Sequence, residues 1–216
     1  MNSNNSKDKE EVGANQVNSK DKFENIKTDY FLILLFSNLD KQKALKIVKY
    51  NKNIMKRINI NINDYKEYST IYSPIEIEIK PVINKYGQFI NIEKDVKNYY
   101  HIYFDNNKEE IKREYINEIE EIKIIKIIID YQIKSFDCLF SYCDCIESIN
   151  FKKFNRKIEY MDHMFSECSS LKELNFNNYN FYKVKYMYKM FSGCSNELIM
   201  KIKAQYKNIR KEAFDN

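Results

Sequence analysis

The residues of this chain with the greatest chemical potential are its cysteines. Five cysteines and two histidines occur among 216 residues. Cys138, Cys143 and Cys145 form a C-x4-C-x-C pattern, which differs from the C-x2-C pair of ordinary zinc sites, and no second half of such a site follows. Cys143, Cys168 and Cys194 are spaced 25 and 26 residues apart. We expect these three thiols to be buried in a stacked ladder, and a metal site is the open alternative.

Few other residues are candidates for catalysis. His163 is the histidine that a repeat cysteine would need for nucleophilic catalysis, whereas His101 lies in a predicted strand. Three glutamates, Glu118, Glu120 and Glu121, form a charge run of the kind that is usually solvated beside a turn. The chain has only three glycines and no phosphate-binding loop. The sequence therefore predicts a protein that is not an enzyme and has no cofactor or metal.

Composition narrows the classes of partner. Hydrophobic residues make up 44% of the chain, charged residues make up 31%, and the net charge is only +5. No basic cluster is interleaved with aromatic residues, so we expect no nucleic-acid partner. Residues 1–22 are polar, lack the apolar core of a secretion signal and predict a disordered tail. The apolar run at 30–36 is far shorter than the roughly 20 residues of a membrane span. We expect an intracellular, cytoplasmic chain with reduced thiols.

One sequence motif occurs three times, at residues 133–143, 158–168 and 184–194. Self-similarity at a period of 25 to 26 residues is typical of stacked repeats. Within each copy, apolar residues recur at i, i+3, i+6 and i+7, which predicts a short helix, and the frame after the cysteine predicts a strand. The fold class expected for 131–196 is therefore α+β: a short leucine-rich-repeat solenoid of about three helix/strand units.

The second copy carries a family resemblance. The stretch MFSECSSLKELNF at 164–176 resembles the BspA-type leucine-rich repeats, whose units carry Met-Phe-x-x-Cys before Leu-x-x-Leu-x-Leu. The resemblance covers about residues 130–200, and the first copy departs from it with Leu139 in place of Met. It implies the repeat fold and a binding role, because that family includes adhesion and interaction proteins. It carries no catalytic residues over to this chain.

The regions outside the repeats are expected to close the solenoid. Residues 23–64 have helical spacing of apolar residues. Residues 65–130 form a predicted β-rich cap, with strict alternation of apolar and charged residues at 75–80. Residues 197–216 carry one apolar helical face and predict a C-terminal capping helix.

The N-terminal helices also carry a resemblance. The stretch LLFSNLDKQKALKIVKYNK at 34–52, within about residues 30–58, resembles the body of an F-box, in which Ile-x-Ser-x-Leu precedes Leu-x-x-Val-x-x-x-Lys. The resemblance implies docking to a Skp-type subunit through four apolar residues, Leu35, Leu39, Leu45 and Val48. A plain helical domain or a helical cap would produce much of the same pattern, so both interpretations stay open.

Two functions follow from these patterns. The first is a protein–protein interaction module that presents outward side chains of neighbouring strands to a protein partner. The side chains expected to make these contacts are Ser148, Asn150, Glu173, Asn175 and Lys126. The alternative is an F-box-like substrate adaptor of a cullin-type ubiquitin ligase. Helices packed as a detached domain would favour the adaptor, and helices buried on the sheet would favour a cap.

Overall fold

A computed structural model of the chain shows two compact units, Met1–Lys66 and Glu67–Asn216. The residues that it describes are 26–39, 41–48, 51–59, 63, 73–130, 132–154 and 158–215. The predicted tail at 1–22 and the first residues of the predicted β-rich segment, 65–72, lie outside them. Each unit has a hydrophobic core of its own.

The first unit contains three short helices in its described residues: α1 at Asp29–Ser37, α2 at Lys41–Val48 and α3 at Lys52–Arg57. The side chain of Asn51 caps α3, because its Oδ1 accepts a hydrogen bond from the backbone N–H of Ile54 at 3.0 Å. One apolar cluster joins the three helices, and its buried members are Leu32, Phe36, Ala44, Val48 and Ile54.

The second unit is built on a mixed five-stranded sheet. Its strands are β1 (Ile75–Pro81), β2 (Gly87–Gln88), β3 (Tyr100–Phe104), β4 (Tyr115–Ile116), β5 (Ile125–Ile129), β6 (Ile146–Lys153) and β7 (Glu173–Asn175). The order in the sheet is β3-β5-β1-β6-β7, and β2 and β4 form a separate antiparallel pair. All neighbours in the large sheet are antiparallel except β6 and β7, which are parallel.

Helices are few among the described residues of the second unit. The α-helix α4 spans Asn196–Gln205, and the hydroxyl of Ser195 caps it by accepting the backbone N–H of Leu198 at 3.3 Å. Three short 3-10 helices lie at Lys94–Tyr99, Phe181–Lys183 and Lys211–Phe214. Among the described residues of both units, no helix combines the length and the apolar character that crossing a membrane would require.

The predicted fold class is therefore wrong. An α+β leucine-rich-repeat solenoid requires a helix and a strand in every unit, but the three copies contain turns where the helices were predicted, and no α-helix lies in the described part of residues 131–195. Only the first two copies are followed by strands, β6 and β7. The architecture is a mixed sheet with a small antiparallel pair and few helices.

Left-handed residues explain why the apolar stripe does not form a helix. Cys138 and Tyr142 in the first copy have φ of 55° and 59°, and His163 and Glu167 repeat this in the second copy with 53° and 58°. The left-handed conformation is costly for L-residues and cannot continue a right-handed helix. Two such residues, four positions apart, therefore divide each copy into successive turns. The turns still point the same apolar residues into the core.

Both predicted caps have counterparts in the structure. The β-rich segment, predicted as a cap fused to the repeats, extends the same sheet, because β1 pairs with β6. At the other end, the predicted helix over 197–216 stops at Gln205. The chain then returns along the third copy, where the N–H groups of Lys189 and Phe191 donate to the carbonyls of Glu212 and Ala213, both at 2.9 Å.

The three copies are joined by a ladder of backbone hydrogen bonds. Four N–H groups of the first copy donate to carbonyls of the second at 2.8–2.9 Å, in the pairs Phe136–Tyr160, Cys138–Asp162, Phe140–Met164 and Tyr142–Ser166. Four N–H groups of the second copy donate to the third in the same way, in the pairs Met161–Tyr186, His163–Tyr188, Phe165–Met190 and Glu167–Ser192. Equivalent side chains therefore lie directly against one another.

A row of stacked phenylalanine rings results from this register. The rings of Phe140 and Phe165 are 5.6 Å apart and 8° from parallel, and those of Phe165 and Phe191 are 5.6 Å apart and 9° from parallel. Phe214, from the returning C-terminal segment, continues the row at 5.3 Å from Phe191. The first three rings are completely buried.

Removing the central ring should destabilise the second unit strongly. Phe165→Ala empties a fully buried site with stacked neighbours on both sides, so we expect a loss of about 3–5 kcal/mol in the free energy of unfolding. Tyr182→Ala is the control, because Tyr182 is 82% exposed and its loss should cost less than about 0.5 kcal/mol. Denaturant melts measure both values. A loss under about 1 kcal/mol for Phe165→Ala would contradict this register.

Candidate functional site

The outward face of the five-stranded sheet carries a continuous row of polar side chains. Strand register places Lys126 of β5 opposite Glu78 of β1, Glu78 opposite Asn150 of β6, and Asn150 opposite Asn175 of β7. Successive side chains of a strand point to opposite faces, so the buried isoleucines of β1 face the core and these residues face away from it.

The structure brings the five predicted contact residues to this one face. Ser148 and Asn150 are half-buried on β6, and Glu173 and Asn175 are exposed on the adjacent strand β7. Lys126 is exposed on the same face of β5. It is not adjacent to the other four, because β1 lies between β5 and β6.

A groove of about 330 Å³ lies across β1, β6 and β7 on this face. Two amides form its centre, with the Nδ2 of Asn175 donating to the Oδ1 of Asn150 at 3.2 Å. The hydroxyl of Tyr206, which follows α4, donates to the Oδ1 of Asn175 at 3.3 Å. These bonds orient the Asn175 side chain. Ser148 and Glu173 also line the groove.

Some charges around the groove are already paired. Lys80 Nζ lies 2.8 Å from one oxygen of Glu147, and Lys172 Nζ lies 3.2 Å from the other. The hydrogen bonds from Lys80 and then Lys172 lower the pKa of Glu147, and the hydrogen bond to Glu147 raises the pKa of Lys80. Glu78 pairs with Lys152 at 3.3 Å.

Two charges on the face have no such partner. Within the part of the chain that the structure describes, no hydrogen bond or ion pair involves the side chain of Lys126 or Glu173. Lys126 lies on β5, whereas Glu173 lies on β7, the strand that also carries Asn175. The face therefore presents a cation, two amides and a carboxylate to its surroundings.

Glu78 and Lys80 also belong to this face, although they are not among the five predicted contact residues. Both line the groove, and Glu78 stands between Lys126 and Asn150. The period-two alternation at 75–80 marks them as outward residues, so their orientation was available from the sequence. Their place in the row was not, because it depends on the pairing of β1 with β6.

The repeat cysteines are buried thiols. The Sγ of Cys168 donates to the carbonyl of Phe140 at 2.9 Å, and that of Cys194 donates to the carbonyl of Phe165 at 3.1 Å. Burial raises the pKa of Cys168 well above its ordinary value and that of Cys194 to about 12. Burial likewise raises the pKa of Cys143, which is the third member of the ladder.

The other two cysteines differ from the ladder and from each other. Cys145 is buried, its Sγ donates to the carbonyl of Gln88 at 3.2 Å, and burial raises its pKa to about 11. Cys138 is exposed, although desolvation and then the charge of Asp137 raise its pKa as well. All five cysteines are free of disulfides.

The remaining chemical candidates are occupied by other contacts. His101 Nδ1 lies 3.0 Å from Glu110 Oε1, and the ring of His163 meets the ring of Tyr188 edge-on at 5.7 Å. Glu120 forms an ion pair with Arg113. In the described ranges, no group of three or more His, Cys, Asp or Glu side chains is arranged to hold a metal ion.

The predicted docking residues of the first unit have different environments. Leu35 on α1 is 45% exposed, Leu39 and Leu45 are half-buried, and Val48 is fully buried in the unit's own core. Leu35 belongs to a set of exposed apolar side chains on α1, namely Tyr30, Phe31, Ile33, Leu34 and Leu35. Of the four, Leu35 is thus the residue most accessible to a partner.

Part of the chain matches a known protein family. Residues 119–209 match the model of a family described as "Mycoplasma protein of unknown function, DUF285". The match covers less than half of the chain, from the approach to β5 through α4. It includes the five predicted contact residues but not β1. No curated protein and no solved structure matches the chain.

The thiols should separate by reactivity. Thiolates are the reactive form, so buried thiols with raised pKa values should resist alkylation, and exposed Cys138 should react first. At about pH 8.5, near the ordinary thiol pKa, we expect one adduct on the folded chain and five after denaturation, as measured by intact mass. Several adducts without unfolding, or stoichiometric zinc by elemental analysis, would contradict the buried ladder.

Proposed function

We propose that this chain is a non-catalytic protein-binding module that contacts a protein partner through the outward face of its sheet. The observation that carries this proposal is a pair of exposed opposite charges without an ion pair, Lys126 on β5 and Glu173 on β7, on the same face as the amides of Asn150 and Asn175. Opposite charges at fixed positions favour a partner of complementary pattern and disfavour others.

The shape of the face suits a macromolecule better than a small molecule. Small-molecule pockets of roughly 300–1,000 Å³ bury most of their ligand under apolar walls. The groove here, at about 330 Å³, has the size of the smallest of these but lies on an open sheet face among charged and amide side chains. A protein partner covers about 800 Å² on each side of a typical interface, so it would extend over several strands.

Two further points support the proposal. The resemblance of residues 164–176 to BspA-type repeats points to a family that includes adhesion and interaction proteins. The five unpaired thiols agree with an intracellular location, which we propose on the basis of cysteine usage.

A second function is favoured by a separate observation. The helices of the first unit have their own core, and α1 exposes several apolar side chains, including Leu35. Exposed apolar patches mark interaction sites when they are contiguous. We therefore keep an F-box-like adaptor as the alternative proposal, with Leu35 docking a Skp-type subunit while the second unit binds a substrate.

Charge reversal on the sheet face tests the first proposal. Lys126→Glu combined with Glu173→Lys leaves the net charge unchanged and inverts the pattern that a partner would read. With the chain as bait in native cell extract, quantitative mass spectrometry should identify proteins whose retention falls at least tenfold in this double variant. Both side chains are exposed, so we expect the melting temperature to stay unchanged.

The matched control is Lys108→Glu combined with Glu109→Lys, which makes the same exchange at two exposed positions beyond β3. This control should retain every protein that the unmodified chain retains. Equal retention by the sheet-face variant and the control would show that the outward face is not the binding surface.

The adaptor proposal predicts direct binding to a Skp-type subunit. Leu35→Asp places a charge on exposed α1 without touching the buried cluster, and calorimetry with the purified subunit should show at least a tenfold loss of affinity. Asn53→Asp adds the same charge at another exposed position of the first unit and should bind like the unmodified chain. Failure of the unmodified chain to bind the subunit would end the adaptor proposal.

A further inference from the structure

The ladder between the copies has a free end. In the second copy, the carbonyls of Tyr160, Asp162, Met164 and Ser166 each accept an N–H from the first copy. The equivalent carbonyls of the third copy, Tyr186, Tyr188, Met190 and Ser192, each accept an N–H from the second. The same four positions in the first copy are Ser135, Asp137, Leu139 and Ser141, and no earlier copy precedes them along the sequence.

One asparagine supplies half of the missing donors. The backbone N–H of Asn91 donates to the carbonyl of Leu139 at 2.7 Å, and its side-chain Nδ2 donates to the carbonyls of Ser141 and Cys138, both at 2.8 Å. Asn91 therefore caps the half of the edge that ends at Ser141. The other half of the edge ends at Ser135.

The carbonyls of Ser135 and Asp137 accept no hydrogen bond from any residue that the structure describes. Both residues are exposed, and both line a groove of about 260 Å³. The apolar part of this groove is formed by Val96, Tyr99 and Phe136. Two adjacent acceptors thus border an apolar recess.

We propose that this groove binds an extended peptide segment of a partner protein, whose alternate N–H groups donate to the carbonyls of Ser135 and Asp137. Addition of a strand in this way takes affinity from main-chain hydrogen bonds and specificity from the side chains that enter pockets. The peptide would contribute one apolar side chain to the recess above Phe136 and one basic side chain to the rim.

The hydrogen bonds between the copies indicate which peptide residues would fit at these two carbonyls. At the equivalent carbonyls of the second copy, the donors are the N–H groups of Phe136 and Cys138, and the Phe136 side chain is buried. At the third copy, Met161 and His163 occupy the same two positions, and Met161 is buried. An apolar residue at the first donor position is therefore common to both internal examples.

The charge at the rim of the groove is the reason for proposing a basic residue in the peptide. Glu93 and Asp137 are exposed carboxylates beside the groove, against one exposed lysine, Lys134. The residue between the two donors points outward, as Asp137 does in the first copy. A basic side chain at that position would lie near Glu93 and near the Oδ2 of Asp137, because the Oδ1 of Asp137 already accepts the backbone N–H of Asp162 at 2.8 Å. The volume of about 260 Å³ is below the usual range for small-molecule pockets, which favours one side chain over a cofactor.

This site is independent of the function proposed above. The groove on the outward sheet face and the groove at Ser135 share no lining residue. Loss of one binding activity would therefore leave the other intact.

The test uses the full chain and a synthetic peptide of sequence acetyl-QIKSFKS-amide. The peptide copies residues 132–138 with the Asp137→Lys and Cys138→Ser replacements, so its phenylalanine and last serine carry the two donor N–H groups. We expect a Kd below about 1 mM in NMR titrations, with the carbonyl ¹³C resonances of Ser135 and Asp137 moving most. The matched control is the same peptide N-methylated at those two residues, which should bind at least tenfold more weakly because it lacks both donors.

Two chain variants complete the experiment. Glu93→Lys removes an exposed rim carboxylate, and Val96→Arg fills the recess. Each variant should weaken peptide binding at least tenfold, while its amide NMR spectrum should remain that of a folded protein. Glu109→Lys changes an exposed carboxylate elsewhere and should leave binding unchanged. No binding at 1 mM peptide, equal binding of the N-methylated peptide, or carbonyl shifts confined to other residues would each overturn the proposal.

Discussion

The second unit depends on the hydrogen-bond ladder that joins equivalent residues of the three copies. Alternate N–H groups of one copy donate to carbonyls of the next at distances of 2.7–2.9 Å. This register places equivalent side chains of successive copies against one another. The phenylalanine rings therefore stack, and the three repeat cysteines are all buried. A slip of one residue would point the apolar set away from the core, so the repeat sequence and the ladder constrain one another.

At each end of the ladder, backbone N–H or C=O groups have no neighbouring copy with which to form hydrogen bonds. At the C-terminal end, residues after α4 return so that the carbonyls of Glu212 and Ala213 receive the last N–H groups and Phe214 covers Phe191. At the other end, β1 continues the sheet beside β6, whereas the turns are capped only in part, by Asn91. This arrangement leaves two candidate surfaces: the outward face of the sheet, and an edge where two carbonyls accept no hydrogen bond from a described residue.

Much of this could be anticipated from particular residues. Phe140, Phe165 and Phe191 occupy equivalent positions of the three copies, which is enough to expect their burial in one row, and the alternation at 75–80 indicates a strand with Glu78 on its outer face. The helices predicted within the copies were wrong, because turns with left-handed residues produce the same apolar spacing and neither Cys138 nor His163 signals a positive φ in the sequence. The order of the strands could not be predicted from the sequence either. It depends on the long-range pairing of β1 with β6, which no local pattern records.

The ladder can be tested directly by measuring scalar couplings across hydrogen bonds with NMR on the labelled full chain. The stacked register predicts couplings between the amide nitrogen of Phe140 and the carbonyl carbon of Met164, and between the amide nitrogen of Phe165 and the carbonyl carbon of Met190. A helix in each copy would instead couple the Phe140 nitrogen to the carbonyl carbon of Phe136, four residues earlier. Observation of that short-range pattern would contradict the stacked register.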